Sequence, residues 1–209
     1  LTSHIHPKDM KDLIISPNSS FEWLIKKIEN EINFAKKNLP SGIWIKCNAI
    51  VDSKLIEKLY EASNAGVKIN LFVRGICCLK PNVKGLSENI IVKSIIGRFL
   101  EHGRIYVFAN GGEFQSIKND VYISSADMMP RNLYTRVEAY VPLKNETVRS
   151  QILTQVIPAL INDTKNSWLL EQTGEYVKLE DKLNFCSHSY FMENPSLSGQ
   201  GTLSKFKTA

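Results

Sequence analysis

The chain has 209 residues, of which 43% are hydrophobic and 22% charged, and its formal net charge is +5. These proportions are those of an ordinary globular domain, which excludes a low-complexity or disordered chain, and the moderate basic excess suits an anionic ligand. No apolar run approaches the roughly 18 residues of a membrane-spanning helix, and the four cysteines show no metal-ligand spacing.

The first helix is predicted near the start of the chain. Leu1 to Ser16 reads as a connecting segment. Ser19 and Glu22 then have the spacing of a capping box, and apolar residues behind them recur at helical spacing as far as about Lys37.

A strand, a helix and a second strand follow. Ile43 to Cys47 predicts a strand, and Asp52 caps a helix that Gly66 ends. The apolar stretch Lys68–Val73 predicts a strand that is buried on both faces. Because a strand–helix–strand crossover joins parallel strands, we expect a sheet that is covered by helices.

The second half of the chain predicts more strands at closer spacing, which favours antiparallel neighbours. The pattern alone therefore indicates an α/β fold with a mixed sheet. A last amphipathic helix is predicted over 145–162, kinked by Pro158, and residues 181–209 are expected to form a loose polar tail. The additional strands are predicted at Ile90–Ile95, Arg104–Ala109, Val121–Ser124 and Val137–Val141.

The segment RFLEHGRIY, residues 98–106, carries the most informative pattern of side chains. Residues i and i+2 of a strand share a face, so His102 and Arg104 should point the same way, with Arg98 and Glu101 nearby. Imidazole can transfer a proton or accept a phosphoryl group, and a guanidinium can bind phosphate oxygens through two hydrogen bonds. The pattern indicates phosphate chemistry, although a single histidine beside an apolar run is more often structural.

Arg74 directly follows a predicted buried strand and precedes Gly75. Ligands of open α/β sheets bind beyond the carboxyl ends of strands, so this guanidinium could hold a phosphate, or it could merely be solvated there. Lys46 and Asn48, at the end of the first predicted strand, are weaker candidates for the same role.

Asp127 lies in a third segment, SSADMMPRN, residues 124–132. Its carboxylate could orient His102 or help to hold a metal ion, and Arg131 could balance its charge. Asp127 and Arg131 could equally form a pair that only closes the turn before Pro130.

Together, the segments VRGICCL, GRFLEHGRIY and SSADMMPRN resemble the C-terminal region of bacterial polyphosphate kinases. The resemblance extends from Leu1 to about Val177, and this chain departs from the family pattern at Gly103, Ser124 and Met128. It implies a phospholipase-D-like α/β/α sandwich, with a mixed, mostly parallel sheet flanked by helices, in which residues 1–180 are the C-terminal catalytic domain.

The resemblance also implies a reversible transfer of the terminal phosphate of ATP to inorganic polyphosphate. The phosphohistidine of the family belongs to an H-H-P-Y stretch of a preceding domain, which this chain does not contain, so the isolated domain is expected to be inactive. His102 would support the leaving group or the transition state, with Asp127 as a candidate orienting carboxylate. Binding of ATP and polyphosphate would fall to Arg74, Arg98, His102, Arg104 and Arg131.

Further expectations concern cofactors and partners. Mg²⁺ would be bound mainly by the nucleotide and by the remaining domains of the parent chain, with no metal ligands in this domain. The resemblance implies a cytoplasmic enzyme, either free or associated with the membrane. The full enzyme is expected to be a homo-oligomer, and nucleic acid is not an expected partner.

Two other functions remain open. One is a non-catalytic module for polyanion binding and assembly. The other is a phosphodiesterase of the phospholipase D type, whose H-x-K-x-x-x-x-D pattern is not matched here, because Arg104 replaces the lysine and Ala109 stands at the aspartate position.

Overall fold

Nine strands form one sheet in the computed structural model, which describes residues 12–179 and 183–194. Their order across the sheet is β1-β7-β6-β5-β2-β3-β4-β8-β9. In chain order the strands are β1 (Ile14–Ser16), β2 (Gly42–Cys47), β3 (Lys68–Val73), β4 (Ile90–Ile95), β5 (Arg104–Phe108), β6 (Asp120–Ser124), β7 (Glu138–Pro142), β8 (Ser167–Leu170) and β9 (Tyr176–Lys178).

The sheet is mixed, as predicted, but the prediction that it is mostly parallel is wrong. Only β2–β3 and β3–β4 pair in parallel, and the other six pairs are antiparallel. A buried apolar strand has the same composition in either direction, so the run of Val, Ile and Leu does not report how the strand pairs. The short connection between β8 and β9 requires those two strands to pair antiparallel.

Helices cover both faces of the sheet, which confirms the three-layer arrangement. On one face α1 and α2 bury Leu24, Ile28 and Leu59 against β2 and β3, and on the other face the π-helical turn Ile152–Val156 and the helix α5 that follows it bury Leu153 and Ile157. The helices are α1 (Ser20–Lys36), α2 (Ser53–Asn64), α3 (Pro130–Tyr134), α4 (Glu146–Gln151), α5 (Ile157–Asn162) and α6 (Ser187–Glu193). No helix in the described ranges is long and apolar enough to cross a membrane.

The predicted helix over 145–162 is interrupted, as Pro158 implied. A π-helical turn, Ile152–Val156, separates α4 from α5. Because proline lacks an N–H and its ring crowds the preceding turn, the regular ladder of hydrogen bonds cannot run through this point. The Lys93 ammonium then donates to the Ile161 carbonyl at 2.6 Å and to that of Asp163 at 3.0 Å, so a positive charge lies at the carboxyl end of α5.

The chain ends differ from the sequence prediction where they are described. The predicted connecting segment contains β1, and the Ser19 hydroxyl donates to the Ile15 carbonyl at 3.2 Å instead of capping α1. The predicted loose tail contains α6, whose Ser187 and His188 are buried. Residues 1–11, 180–182 and 195–209 lie outside the described part.

Glu31 joins helix α1 to the start of β2 and to the turn that follows β5, and the residue is 1% exposed. Its carboxylate accepts hydrogen bonds from the Gly42 N–H at 3.0 Å and the Asn110 N–H at 2.7 Å. Burial raises the pKa of Glu31 to about 7, because the loss of water outweighs those two hydrogen bonds and the nearby Lys27 charge.

We predict that the protein loses stability as the pH rises from about 4.5 to 7. The ordinary pKa of 4.5 applies to the unfolded chain, so in this interval the folded state binds the Glu31 proton more tightly. The stabilisation is complete below pH 4.5 and falls by at most about 3 kcal/mol as Glu31 ionises in the folded state. Urea denaturation at a series of pH values measures the slope.

Glu31→Gln should flatten that slope, since the amide does not titrate. Glu22→Gln, at an exposed position of the same helix, should leave the slope as it is. An unchanged slope in Glu31→Gln would contradict the assignment.

Candidate active site

One edge of the sheet collects the polar residues that the sequence indicates. Strands β2, β3, β4 and β6 end at this edge, and the antiparallel β5 begins there at Arg104. Arg74 follows β3, His102 precedes β5 and Asp127 follows β6. We call this rim of the sheet the site edge. It is the end at which open α/β sheets bind ligands.

Arg104 and Asp127 form a two-pronged ion pair at the site edge. Arg104 Nε donates to Asp127 Oδ1 at 3.0 Å and Arg104 Nη2 donates to Oδ2 at 2.8 Å, and the two side chains are 10% and 7% exposed. The Asn48 N–H adds a 2.7 Å hydrogen bond to Asp127 Oδ1. Three strands, β2, β5 and β6, are thereby joined at their ends.

The hydrogen bonds of this pair decide its protonation. Burial alone would raise the pKa of Asp127, but the hydrogen bonds from Arg104 and from Asn48 outweigh it and lower that pKa. In return, the hydrogen bonds to Asp127 raise the pKa of Arg104. Both groups therefore stay charged, and neither is suited to exchange a proton during catalysis.

His102 is oriented by Arg104. Arg104 Nη1 donates to the His102 carbonyl at 3.1 Å and contacts its Nδ1 at 3.0 Å. A guanidinium can only donate, so Nδ1 is the acceptor and the proton of the neutral ring is on Nε2. The exposed ring is thus held with an N–H donor available. Asp127 acts on His102 through Arg104, which differs from the direct contact that the sequence suggested.

Arg74 has no carboxylate partner among the described residues. Its Nη1 donates to the Glu101 carbonyl at 3.0 Å, and the side chain is partly buried. Gly75 is required beside it, because a Cβ there would lie 2.9 Å from the Asn48 carbonyl oxygen. A guanidinium with N–H groups to spare and an uncompensated charge is suited to bind an anion.

The positive charge of Lys46, unlike that of Arg74, is compensated by a neighbouring carboxylate. Its Nζ donates to the Gly103 carbonyl at 3.1 Å and lies 3.1 Å from Glu101 Oε2. Lys46, Arg74 and Glu101 line a small cleft at the site edge. The Asn48 side chain is buried nearby, and both of its amide atoms lack a hydrogen-bond partner.

Two of the predicted cations lie apart from this cluster. Arg98 is exposed on the loop before His102, with its guanidinium 5.9 Å from the Phe99 ring centre. Arg131 is exposed on α3, and its side chain makes no hydrogen bond or ion pair with the described residues. The structure therefore brings together Arg74, His102, Arg104 and Asp127, with Arg98 and Arg131 outside the network.

The described side chains do not fit a metal ion held by this domain. Within 12–179 and 183–194, no three His, Cys, Asp or Glu residues are grouped as ligands. The carboxylates near the site edge are engaged: Asp127 with Arg104, Glu101 with Lys46, and Glu138 with Ser125 and Asn132. We derive no catalytic step through Mg²⁺ bound to these residues.

Sequence reasoning did not identify Glu138 or His188. Glu138 is 8% exposed and accepts from Ser125 Oγ at 2.5 Å and from Asn132 Nδ2 at 2.7 Å, which fixes the turn that carries Asp127. The alternation of β7 could have indicated Glu138 as an inward-facing carboxylate. Nothing in the polar sequence around His188 indicated that it is buried.

Comparison with known proteins gives consistent results. Residues 13–187 match the family model described as polyphosphate kinase C-terminal domain 2. The polyphosphate kinase of Erythrobacter litoralis is 50% identical over 96% of this chain, and that of Helicobacter pylori strain J99 is 43% identical over 91%. This chain spans 28% and 27% of the lengths of these relatives.

Solved structures show the same similarity. The crystal structure of polyphosphate kinase from Porphyromonas gingivalis matches with a TM-score of 0.85 and 32% identity, over 91% of this chain and 29% of that chain. The phospholipase D family member Nuc from Salmonella typhimurium matches with a TM-score of 0.46 and 11% identity, over 66% of this chain and 85% of that chain. The second similarity is too distant to support a conclusion.

We predict that Asp127→Asn destabilises the fold by about 3 kcal/mol, because it leaves the Arg104 guanidinium buried without a counter-charge. Arg104→Gln should have a similar cost, and the double variant should cost at least about 1 kcal/mol less than the sum of the two. Urea denaturation of the four proteins completes the cycle.

The exposed pair Lys144–Asp12 is the matched control, with side chains 68% and 63% exposed. Lys144→Gln should change stability by less than about 1 kcal/mol. Strictly additive effects of the Asp127 and Arg104 changes would show that the pair does not act as a unit.

Proposed function

The chain belongs to the polyphosphate kinase family, as its C-terminal domain 2, and from this premise we propose that it supplies residues that bind ATP and polyphosphate. The reaction served is the reversible transfer of the terminal phosphate of ATP to a polyphosphate chain. The main support is the placement of Arg74, whose guanidinium has no carboxylate partner among the described residues, on the same rim as the oriented ring of His102. Residues 1–180 would make up the domain together with α6, which is bonded to it through Asp163.

Phosphoryl transfer depends mostly on positioning and on neutralising charge. In the proposed mechanism Arg74 holds oxygens of the phosphate that moves. As the bond between that phosphate and ADP breaks, negative charge grows on the oxygen that leaves. His102 Nε2–H donates a hydrogen bond to that oxygen, or to the end of the polyphosphate chain in the reverse direction.

The contacts of His102 argue against its being the nucleophile. A histidine that accepts a phosphoryl group needs an unprotonated ring nitrogen directed at phosphorus. Nδ1 is engaged by Arg104 at 3.0 Å, and Nε2 carries the proton. The phosphohistidine would therefore belong to another domain of the parent enzyme, and this domain alone would not complete the reaction.

The remaining cations have supporting roles in this proposal. Arg104, held by Asp127, positions His102, and its Nη1 is the only one of its nitrogens that does not bond to that carboxylate. Arg98 and Arg131 would attract passing segments of the polyanion, as the net charge of +5 favours. Mg²⁺ would arrive with the nucleotide and be held mainly by it and by the remaining domains.

The proposed setting follows from the family. The partners would be the other domains of the parent chain and further copies of it in a homo-oligomer. All four cysteines are free thiols, which is compatible with a reducing cytoplasm.

A non-catalytic polyanion-binding module is the second candidate. It is favoured by the internal neutralisation of Arg104 and Lys46, which leaves binding groups but no proton donor other than His102 at this cluster. The phosphodiesterase alternative has less support, because Ala109 is 1% exposed just beyond the far end of β5 and provides no carboxylate to orient His102.

We expect the 209-residue chain to bind polyphosphate weakly, with an affinity that falls as salt rises, since the Debye length is only about 8 Å at physiological ionic strength. Arg74→Lys should weaken binding by about 1.5–3 kcal/mol, because an ammonium keeps the charge but cannot form the guanidinium fork. Isothermal titration at low and high salt measures both effects.

Arg149→Lys is the control for that substitution. Arg149 lines a pocket with Asn119 and Asp120, at the opposite end of β6 from the site edge, and its replacement should leave affinity unchanged. Equal affinities for wild type and Arg74→Lys would remove Arg74 from the binding site.

In a full-length kinase that contains this chain, His102→Ala should reduce turnover by about 10²–10⁴-fold, the range for a lost acid–base group. Slow formation of phosphoenzyme on a histidine outside this domain should continue. Acid-labile label from γ-labelled ATP, mapped by peptide, tests this. Label on the peptide that contains His102 would make His102 the nucleophile and overturn the mechanism.

A further inference from the structure

The loop between β4 and β5, residues 96–103, carries two groups of the site edge, and we call it the site loop. His102 belongs to it, and so does Glu101, whose carbonyl accepts from Arg74 and whose carboxylate pairs with Lys46. The loop is otherwise poorly buried, since Leu100 is 81% and Phe99 47% exposed. Something other than its own core contacts must hold it in place.

The buried ring of His188, on α6, makes several contacts with this loop. His188 is 2% exposed, and its Nδ1 accepts from the Phe99 N–H at 3.3 Å. The two rings are 5.6 Å apart, with their planes 40° from parallel. A Cβ on Gly97 would lie 2.5 Å from His188 Nδ1, so the loop backbone passes directly against the ring.

These contacts also place the proton of the neutral His188 ring. Because Nδ1 accepts from a backbone N–H, the neutral ring carries its proton on Nε2. Nε2 is buried, has no hydrogen-bond partner in the part of the chain that the structure describes, and lies 3.6 Å from Glu101 Oε1. The other carboxylate oxygen of Glu101 is 3.1 Å from Lys46 Nζ. Glu101 is therefore placed between the His188 ring and a cation of the cleft.

The helix that carries His188 has a firm attachment of its own. Asp163 is fully buried, and its Oδ2 accepts from the Ser187 N–H and the Ser187 hydroxyl, each at 2.7 Å. Its Oδ1 accepts from the Asn166 N–H and the Ser167 hydroxyl next to β8. Residue 187, and with it the start of α6, is thereby fixed to the end of the sheet.

From this geometry we propose that His188 is a positioning residue for the anion site. It holds the site loop so that the Glu101 carbonyl meets Arg74, the Glu101 carboxylate meets Lys46, and His102 reaches Arg104. Helix α6 thus becomes part of the structure that binds phosphate. The effect on ligand binding rests on the proposed function, but the effect on the loop does not.

The test uses two substitutions in the 209-residue chain, which distinguish the contribution of the aromatic ring from that of the hydrogen-bond acceptor Nδ1. His188→Phe keeps an aromatic ring against Phe99 and removes the acceptor. His188→Asn keeps an acceptor oxygen at the position of Nδ1. Ser189→Ala, at an exposed position of the same helix, is the control. The readouts are hydrogen exchange of the residue-99 amide, with β2 amides as internal reference, and the affinity for tripolyphosphate.

In His188→Phe the residue-99 amide should exchange about tenfold faster, the factor expected for the loss of roughly one hydrogen bond, while β2 is unchanged. Affinity for tripolyphosphate should fall about three- to tenfold, because the loop that carries Glu101 and His102 is held by about one hydrogen bond fewer. His188→Asn should restore both in part, and Ser189→Ala should change neither. A chain that had only lost stability would show faster exchange in β2 as well.

Unchanged exchange at residue 99 in a folded His188→Phe protein would overturn the proposal. So would a loosened loop that binds tripolyphosphate as tightly as the wild type does. If the wild type itself does not bind tripolyphosphate, the proposed function fails and the exchange comparison alone decides whether His188 holds the loop. If His188→Phe does not fold, Phe99→Ala removes the ring contact from the exposed side and is judged by the same exchange measurement.

Discussion

The ion pair between Arg104 and Asp127 is the constraint on which the site edge depends. Its two hydrogen bonds, at 3.0 and 2.8 Å, lie where both side chains are almost out of solvent. Charges in such a place are tolerated only when each satisfies the other. Because Asp127 also accepts from the Asn48 N–H, the pair fixes the ends of three strands and leaves Arg104 Nη1 to orient His102.

The same pairing determines which charges are left for a ligand. Arg104 and Lys46 are compensated by Asp127 and Glu101, whereas Arg74 has no carboxylate partner in the described ranges. The site edge therefore consists of paired charges around the uncompensated guanidinium of Arg74, and it is not a uniformly basic patch. Such an arrangement favours an anion at a defined position, beside the oriented N–H of His102.

The sequence predicted most elements near the site, because periodicity reports buried faces directly. It located β2 to β7 within a residue or two and placed His102 with Arg104. The expected parallel pair β2–β3 and the antiparallel neighbours in the second half are present, but a mostly parallel sheet was wrongly expected, since buried strands look alike in either orientation. The short strands β1, β8 and β9 were not predicted. Contacts between segments that are distant in the sequence could not be predicted either. The spacing of residues along the chain does not show that Asp127 pairs with Arg104, or that His188 is buried against the site loop.

An NMR titration of the chain with tripolyphosphate shows whether the site edge binds polyphosphate. If it does, the amide signals of residues 46–48, 74–75 and 101–104 should shift together and saturate with one affinity. Shifts confined to the opposite end of the sheet, around Asp120 and Arg149, or shifts spread evenly over all lysines and arginines, would contradict binding at the site edge.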